Sequence, residues 1–119
     1  MSSTSTFYDG PTTGSLGAGT YFVTSTLTIG KASATTGTTV ICKLWDGSTI
    51  FASGETELSY ITSAAITYAT ITLSAVATEA GTATIKMSCE PQTASEVMYY
   101  QTAAGTLANA SSISAVRLK

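Results

Sequence analysis

The chain has 119 residues, no histidine and few charged residues, five basic and seven acidic, which leave a formal net charge of −2. This length fits one domain with a single core and makes a second domain implausible. Without histidine, Ser-His-Asp and Cys-His catalysis are absent, and without a basic cluster there is no electrostatic footprint for nucleic acid. Charged residues are 10% of the chain, where about 25% is ordinary. We therefore expect much of this neutral surface to lie against other protein, a threonine-coated monomer being the alternative.

The first 19 residues form a Ser/Thr/Gly-rich segment whose sizeable apolar side chains are Phe7, Tyr8 and Leu16. Such a segment cannot fold alone, so it is either disordered or laid along a surface, and the aromatic pair favours the surface. It lacks the basic start and apolar run of a signal peptide, and no run in the chain approaches the roughly 20 apolar residues of a membrane span. We expect a protein made in the cytoplasm, without export and without a membrane partner.

Two segments then predict strands. Thr20 to Ile29 places Tyr21, Val23, Ser25, Leu27 and Ile29 on one face, with Phe22 and threonines on the other. Val40 to Gly54 predicts a β-hairpin, because Asp46-Gly47 is a favoured dipeptide for a two-residue turn. The first arm of this hairpin is apolar on both faces, which suggests that its second face is covered as well.

The remaining strands follow at intervals of about ten residues. Ala65 to Val76 is the longest, and because its apolar alternation slips near Ala69-Thr70 we expect a β-bulge or bend there. Ala83 to Cys89 alternates between apolar and polar residues. Val97 to Tyr100 is densely apolar, and Ser112 to Lys119 closes the chain.

The two cysteines, Cys42 and Cys89, lie on the apolar faces of their predicted strands and resemble small core residues. Cytoplasmic synthesis favours reduced thiols. A disulfide requires the two strands to be neighbours.

Together these seven or eight strands predict an all-β fold, an antiparallel β-sandwich of the jelly-roll type, with an immunoglobulin-like sandwich as the alternative. Residues 1–19 would be an extended N-terminal docking arm and residues 20–119 the sandwich domain. Trp45 follows Cys42 by only three residues, and this order argues against a true immunoglobulin domain.

Three short segments resemble a known family. They are the hairpin Lys43 to Glu55 (KLWDGSTIFASGE), the strand segment Leu73-Ser74-Ala75, and the closing Ile113 to Leu118 (ISAVRL). Together they resemble the small jelly-roll modules of tailed-bacteriophage virions, whose folds are similar to the trimeric heads of tumour necrosis factor and C1q. The resemblance covers roughly residues 20–119 and leaves the N-terminal segment outside it.

The resemblance implies a homotrimeric structural protein of the virion, either a capsid decoration protein or the head of a fibre. Fibre heads usually follow a long repetitive shaft, which this sequence lacks, so we expect a decoration (cement) protein. Its partners would be itself and the major capsid protein. Candidate capsid-docking residues are Phe7, Tyr8 and Leu16, and candidate trimer-interface residues are Tyr68, Tyr99 and Tyr100.

The alternative function is a receptor- or carbohydrate-binding module of a phage fibre. Sugars stack on exposed aromatic faces, and Trp45 and Tyr60 are the candidate platforms. Trp45 lies among apolar residues, so a core or subunit contact is the competing role for its ring.

No cofactor, metal or catalytic residue is predicted. Two cysteines cannot complete a four-ligand metal site without further Cys or His. Asp9 and Asp46 are far apart in sequence, so a calcium site would need many backbone carbonyls. Glu55 and Glu57 alternate on one exposed strand end, where they favour solubility over acid-base catalysis.

Overall fold

The computed structural model describes residues 1, 4–32, 37–59, 66–92, 97–99 and 111–119, and for 31–32, 66–67 and 97–99 it describes the backbone alone. Within these ranges the chain folds into eight strands: β1 Tyr8–Thr12, β2 Gly19–Ala32, β3 Thr38–Trp45, β4 Ile50–Leu58, β5 Ile66–Glu79, β6 Lys86–Pro91, β7 Val97–Tyr99 and β8 Ser111–Arg117. No helix long and apolar enough to cross a membrane occurs in the described ranges.

The strands form two antiparallel sheets. The first sheet has the order β1-β6-β3-β4. In the second sheet β2 lies between β5 on one side and β8 and β7 on the other, because β8 pairs with residues 21–27 of β2 and β7 with residues 28–30. The predicted antiparallel β-sandwich of about eight strands is confirmed. The finer jelly-roll designation belongs with the family resemblance and stays a prediction.

One apolar core fills the space between the sheets. Its members are alternate residues of five strands and of the turn before β6, and the largest that are fully buried are Val23, Leu27, Ile29, Val40, Leu44, Leu58, Ile85 and Met87. Each such side chain contributes on the order of 1.5–3 kcal/mol when withdrawn from water. The period of two in β2 and β3 therefore decides which face of each sheet points inward.

The predicted bulge in the strand after Ala65 is wrong. β5 pairs with β2 residue by residue from Ile66 opposite Ala32 to Glu79 opposite Gly19, without a shift in register. The alternation slips because Tyr68 points outward, with 48% of its surface exposed, while Ile71 and Leu73 point into the core. An apolar residue at an outward position explains the broken pattern.

The predicted hairpin is present, but its turn is longer than two residues. Trp45 pairs with Ile50, so residues 46–49 form the loop. The Asp46 carboxylate accepts hydrogen bonds from the backbone N–H groups of Ser48 (2.8 Å) and Thr49 (2.6 Å), and Gly47 takes a φ of 102°. The aspartate thus stabilises the loop as an acceptor, while the glycine supplies the left-handed backbone.

The expectation of reduced thiols is also wrong for this structure. β3 and β6 are neighbours, and Cys42 is the direct partner of Cys89 in their register. The two residues form a disulfide, with their Cα atoms 4.1 Å apart. The cross-link joins the two central strands of the first sheet inside the core.

The N-terminal segment lies along the sandwich. Its β1 strand pairs with β6, with Tyr8 opposite Cys89 and Asp9 opposite Ser88. Further on, Leu16 exchanges two backbone hydrogen bonds with Ala83 and packs against the core. The described part of the segment thus extends the first sheet by one edge strand.

Candidate functional site

The sandwich has two outer faces, which differ in chemistry. On the first sheet, six outward positions carry charged side chains, interspersed with Ile41, Trp45 and Ser88, and we call this the charged face: Asp9, Ile41, Lys43, Trp45, Glu55, Glu57, Lys86, Ser88 and Glu90. On the second sheet, outward positions carry hydroxyl and apolar side chains, and we call this the hydroxyl face: Thr20, Phe22, Thr24, Thr26 and Thr28 of β2, Tyr68, Thr70, Thr72, Ser74, Val76 and Thr78 of β5, and Ser112, Ser114 and Val116 of β8.

A continuous hydrogen-bond network crosses three strands of the charged face. The indole Nε1 of Trp45 donates to Ser88 Oγ at 2.8 Å. Ser88 Oγ donates in turn to Asp9 Oδ1 at 2.7 Å, and Lys86 Nζ donates to Asp9 Oδ2 at 2.7 Å. Each carboxylate oxygen of Asp9 therefore has its own donor, and buried Ser88 is satisfied on both sides.

The charge of Asp9 is stabilised by this network. Partial burial raises the pKa of the Asp9 carboxyl. The hydrogen bonds from Lys86 and Ser88, together with the positive charges of Lys86 and Lys43, lower it by more than burial raises it. The net pKa lies below the usual value. Asp9 is thus held ionised by donors that the fold supplies.

The Trp45 ring is covered by a cation. Lys43 Nζ lies 3.4 Å from the centroid of Trp45 and 4.1 Å from that of Phe7. Lys86 Nζ lies 5.2 Å from the Trp45 centroid. These are cation–π distances. Lys43 and Trp45 both belong to β3, and Phe7 lies beside β1, so the contact joins outward residues of the first sheet. β3 lies between β6 and β4, and a covering of its outward side by other protein stays a prediction.

The hydroxyl face is organised in rows across the sheet. Thr24 and Ser74 bond at 2.8 Å, Thr26 and Thr72 at 2.9 Å, Thr28 and Thr70 at 3.0 Å, and Thr20 and Thr78 at 3.2 Å. Each pair joins directly opposite residues of β2 and β5. Cross-strand Thr–Thr and Thr–Ser pairs stabilise a sheet by roughly 0.2–1 kcal/mol each.

An apolar row interrupts these hydroxyls. Val76 lies opposite Phe22 on one side, and Val116 lies opposite Phe22 on the other. Their exposed fractions are 59%, 44% and 59% for Val76, Phe22 and Val116. With Tyr68, this face holds four of the six large hydrophobic side chains that are exposed in the described part of the chain. Such a patch is typical of an interaction surface.

The described positions of the hydroxyl face carry no charged side chain. The charged residues of its strands with described side chains, Glu79 and Arg117, have the opposite parity and lie at strand ends. Arg117 Nη2 donates to the Ala18 carbonyl oxygen at 2.9 Å. By contrast, six of the described charged residues lie on the charged face.

A pair of carboxyl groups lies elsewhere. Glu79, at the end of β5, is buried, and its Oε1 atom has no hydrogen-bond partner among the described residues. Burial, and then the negative charge of Asp46, raises the pKa of the Glu79 carboxyl. Backbone N–H groups of Thr49 and Ser48 lower the pKa of Asp46. The described ranges contain no group of three or more His, Cys, Asp or Glu placed to hold a metal ion.

The structure places the predicted site residues on different surfaces. Among the docking candidates, Phe7 and Tyr8 are half-buried beside and within β1, and Leu16 packs against the core. Among the trimer candidates, Tyr68 lies on the hydroxyl face, and Tyr99 pairs with Thr28 in the backbone register of β7. Tyr100 and the sugar candidate Tyr60 lie outside the described residues. These roles stay predictions.

Sequence reasoning missed the apolar row and the Asp9 network. The alternation in β2 predicts that Phe22 points outward, and the structure confirms it. Its partners Val76 and Val116 come from strands about 50 and 90 residues further on, and the alternation within one strand does not show which strands pair. Asp9 and Ser88 are likewise joined only by the register of β1 with β6. The sequence does carry one signal for the hydroxyl face: the even-numbered positions of β2 hold threonines at 20, 24, 26 and 28 and a phenylalanine at 22, which indicates an outward side without charges.

Compared with known proteins, the chain matches no family model, no curated protein and no solved structure.

Proposed function

We propose that this chain is a non-enzymatic structural protein of a tailed-bacteriophage virion, a decoration protein that forms a homotrimer and binds the assembled head. The observation that carries the proposal is the hydroxyl face, whose described outward positions are all uncharged and include an apolar row at Phe22. An uncharged surface with an exposed apolar row is only weakly hydrated, and such surfaces favour contact with other protein. The sequence resemblance to phage jelly-roll modules points the same way.

Attachment to the head is assigned to the N-terminal segment. Phe7 is half-buried and lies at a cation–π distance from Lys43, so its ring is held at the first sheet and is preorganised for a contact with the major capsid protein. Tyr8 and Leu16 complete the predicted docking set. A trimer presents three such contacts, and multivalency raises the avidity of a weak single contact.

The test is made on particles and on the purified chain. Mass spectrometry of virions produced by a host that carries the gene should detect this chain in a fixed ratio to the major capsid protein. Light scattering should give three times the 12.1 kDa chain mass. Virions free of the chain would refute the virion assignment, whatever the mass of the purified protein.

Docking is tested by substitution, because deleting residues 1–19 would also remove β1 from the first sheet. Phe7→Ala should lower capture of the protein by undecorated heads while the protein stays a trimer in light scattering. Ile50→Ala is the matched control, since Ile50 is an exposed apolar side chain on the charged side of the sandwich. Equal capture of both variants would contradict docking through Phe7.

The carbohydrate alternative has weaker support. A sugar stacking on Trp45 would meet Lys43, whose Nζ atom is 3.4 Å from the ring centroid. The indole N–H is already bonded to Ser88 and is not free for a ligand. Binding at this ring would therefore require the lysine to leave first.

A further inference from the structure

We infer that the hydroxyl face is the surface through which this chain contacts a second copy of itself, with Phe22, Val76 and Val116 at the centre of the contact. The inference rests on the self-association in the proposed function and assigns it to one surface. It places the centre of the contact at the apolar row, with Tyr68 at the end of the same face.

The first argument is charge. A partner that presents charged groups to the hydroxyl face would bury them without a counter-charge, because none of the described outward positions there is ionised. The complementary partner is therefore uncharged over the same area. In a chain with six charged residues on the opposite outer face, the hydroxyl face itself is the surface that meets this requirement.

The second argument is hydrogen bonding. In each of the four cross-strand pairs, such as Thr26 with Thr72, one hydroxyl donates to the other, so half of these donors are satisfied inside the face. Burying a hydroxyl that keeps its bond avoids most of the desolvation penalty. The remaining O–H groups need acceptors, and an identical array of hydroxyls supplies them.

The third argument is area. At about 3.3 Å per residue and about 4.8 Å between strands, the paired lengths of β2, β5 and β8 cover roughly 550 Å² in projection. In the proposed trimer each face meets two neighbouring copies around the threefold axis, and the three faces together bury roughly 1,650 Å² in projection, which exceeds the ~1,000 Å² expected of a specific interface. The apolar row supplies a central anchor, and the hydroxyl rows on either side form a polar rim.

The experiment compares two lysine substitutions in the full chain. Val76 (59% exposed) lies in the apolar row of the hydroxyl face, directly opposite Phe22, and Ile50 (56% exposed) lies on the charged side, opposite Trp45. Both variants should fold, because neither side chain is buried, and circular dichroism checks this. We expect Val76→Lys to weaken self-association on the order of 100-fold, as expected for a charge placed at the centre of an interface, while Ile50→Lys keeps the wild-type mass in sedimentation equilibrium.

Val116→Lys repeats the test from the other side of Phe22 and replaces Val76→Lys if that variant does not fold. The wild-type association should also persist between about 0.05 and 0.5 M NaCl, because an uncharged contact is not screened. Wild-type mass in both Val76→Lys and Val116→Lys would overturn the inference while leaving self-association intact.

The remaining outcomes separate this inference from the virion assignment. A wild-type chain that is monomeric, yet present in virions, overturns the inference and leaves the virion role standing. A monomer that binds a neutral glycan, and loses it in Val76→Lys, also overturns the inference and makes the face a glycan site. Association that Val76→Lys abolishes supports the inference even if the chain is absent from virions.

Discussion

The two outer faces of the sandwich are both polar, but their polar groups differ. The charged face uses a few ionised groups, and each member of its central network is matched to a partner: Asp9 to Lys86 and Ser88, and Lys43 to two aromatic rings. The hydroxyl face uses uncharged threonines and serines in opposed pairs.

The difference indicates where water remains. Ionised side chains are strongly hydrated and are costly to cover, so extensive burial of the charged face is disfavoured, and the proposed capsid contact there is limited to uncharged side chains such as Phe7. Threonine pairs already hold part of their hydrogen bonding and add methyl groups, so they are cheaper to cover. The same chain thus carries one face that resists burial and one that tolerates it.

The largest expected effect concerns the covalent link behind the charged face. Cys42 and Cys89 join β3 to β6 across a sequence separation of 47, while no other cysteine is available to the second sheet. Replacing both by alanine should lower the free energy of unfolding by ~2–4 kcal/mol, because the unfolded chain is no longer constrained. Urea unfolding at neutral pH measures this loss.

Reductant provides the control for this prediction. Wild-type protein treated with a phosphine should move toward the double variant, and the double variant should not respond to the reductant. Hydrogen exchange should rise first in β3 and β6 and later in β2 and β5. A wild type with the same urea midpoint in both redox states would contradict a stabilising role for the cross-link.

The next effect concerns the charges themselves. Asp9→Asn removes the ion pair with Lys86 and weakens the bond from Ser88, and it should cost under about 1 kcal/mol, because the Asp9 side chain is half exposed. The pKa of Asp9 is lowered in the fold. Its stabilisation is therefore present above the unfolded value, about 3.9, and is lost as pH falls through the lower folded value.

Melting temperatures of wild type and Asp9→Asn should accordingly differ near pH 7 and converge in acid. Glu57→Gln, which removes one exposed carboxylate from the edge strand β4, is the control for the change in net charge. A constant difference between wild type and Asp9→Asn at every pH would show that the packing of Asp9, and not its charge, matters.

The sequence predicted the inward half of this molecule better than the outward half. Burial enforces a period of two, so Val23, Leu27 and Ile29 could be assigned to the core from β2 alone. Outward contacts depend on which strands are neighbours, and this depends on the register. The β2–β5 pairing, the Cys42–Cys89 link and the Asp9–Ser88 bond all join residues at least 34 positions apart.

One misreading shows this limit clearly. Tyr68 broke the alternation of β5, and a bulge would have returned it to the core. The residue instead lies outside, on the same face as Phe22, where a large apolar side chain is unexpected unless something covers it. The slip in the apolar alternation of β5 is therefore itself a sign of an outward-facing apolar residue on the hydroxyl face.

The smallest expected effect is the sharpest test of the comparison. Thr26 and Thr72 form a hydroxyl pair at 2.9 Å near the middle of the hydroxyl face, and changing both to valine replaces two bonded hydroxyls by methyl groups of the same shape. Since neither partner is left without the other, the free energy of unfolding should change by no more than about 0.5 kcal/mol.

If the face is covered by another copy, the added methyl groups should leave self-association unchanged or strengthen it. If the hydroxyls instead serve a solvated or sugar-binding surface, the double variant should lose solubility or glycan binding while its mass stays that of the wild type. Solubility and glycan-binding measurements on this one variant, made beside sedimentation equilibrium and urea unfolding, therefore separate a face that is buried in the assembly from a face that stays in contact with solvent.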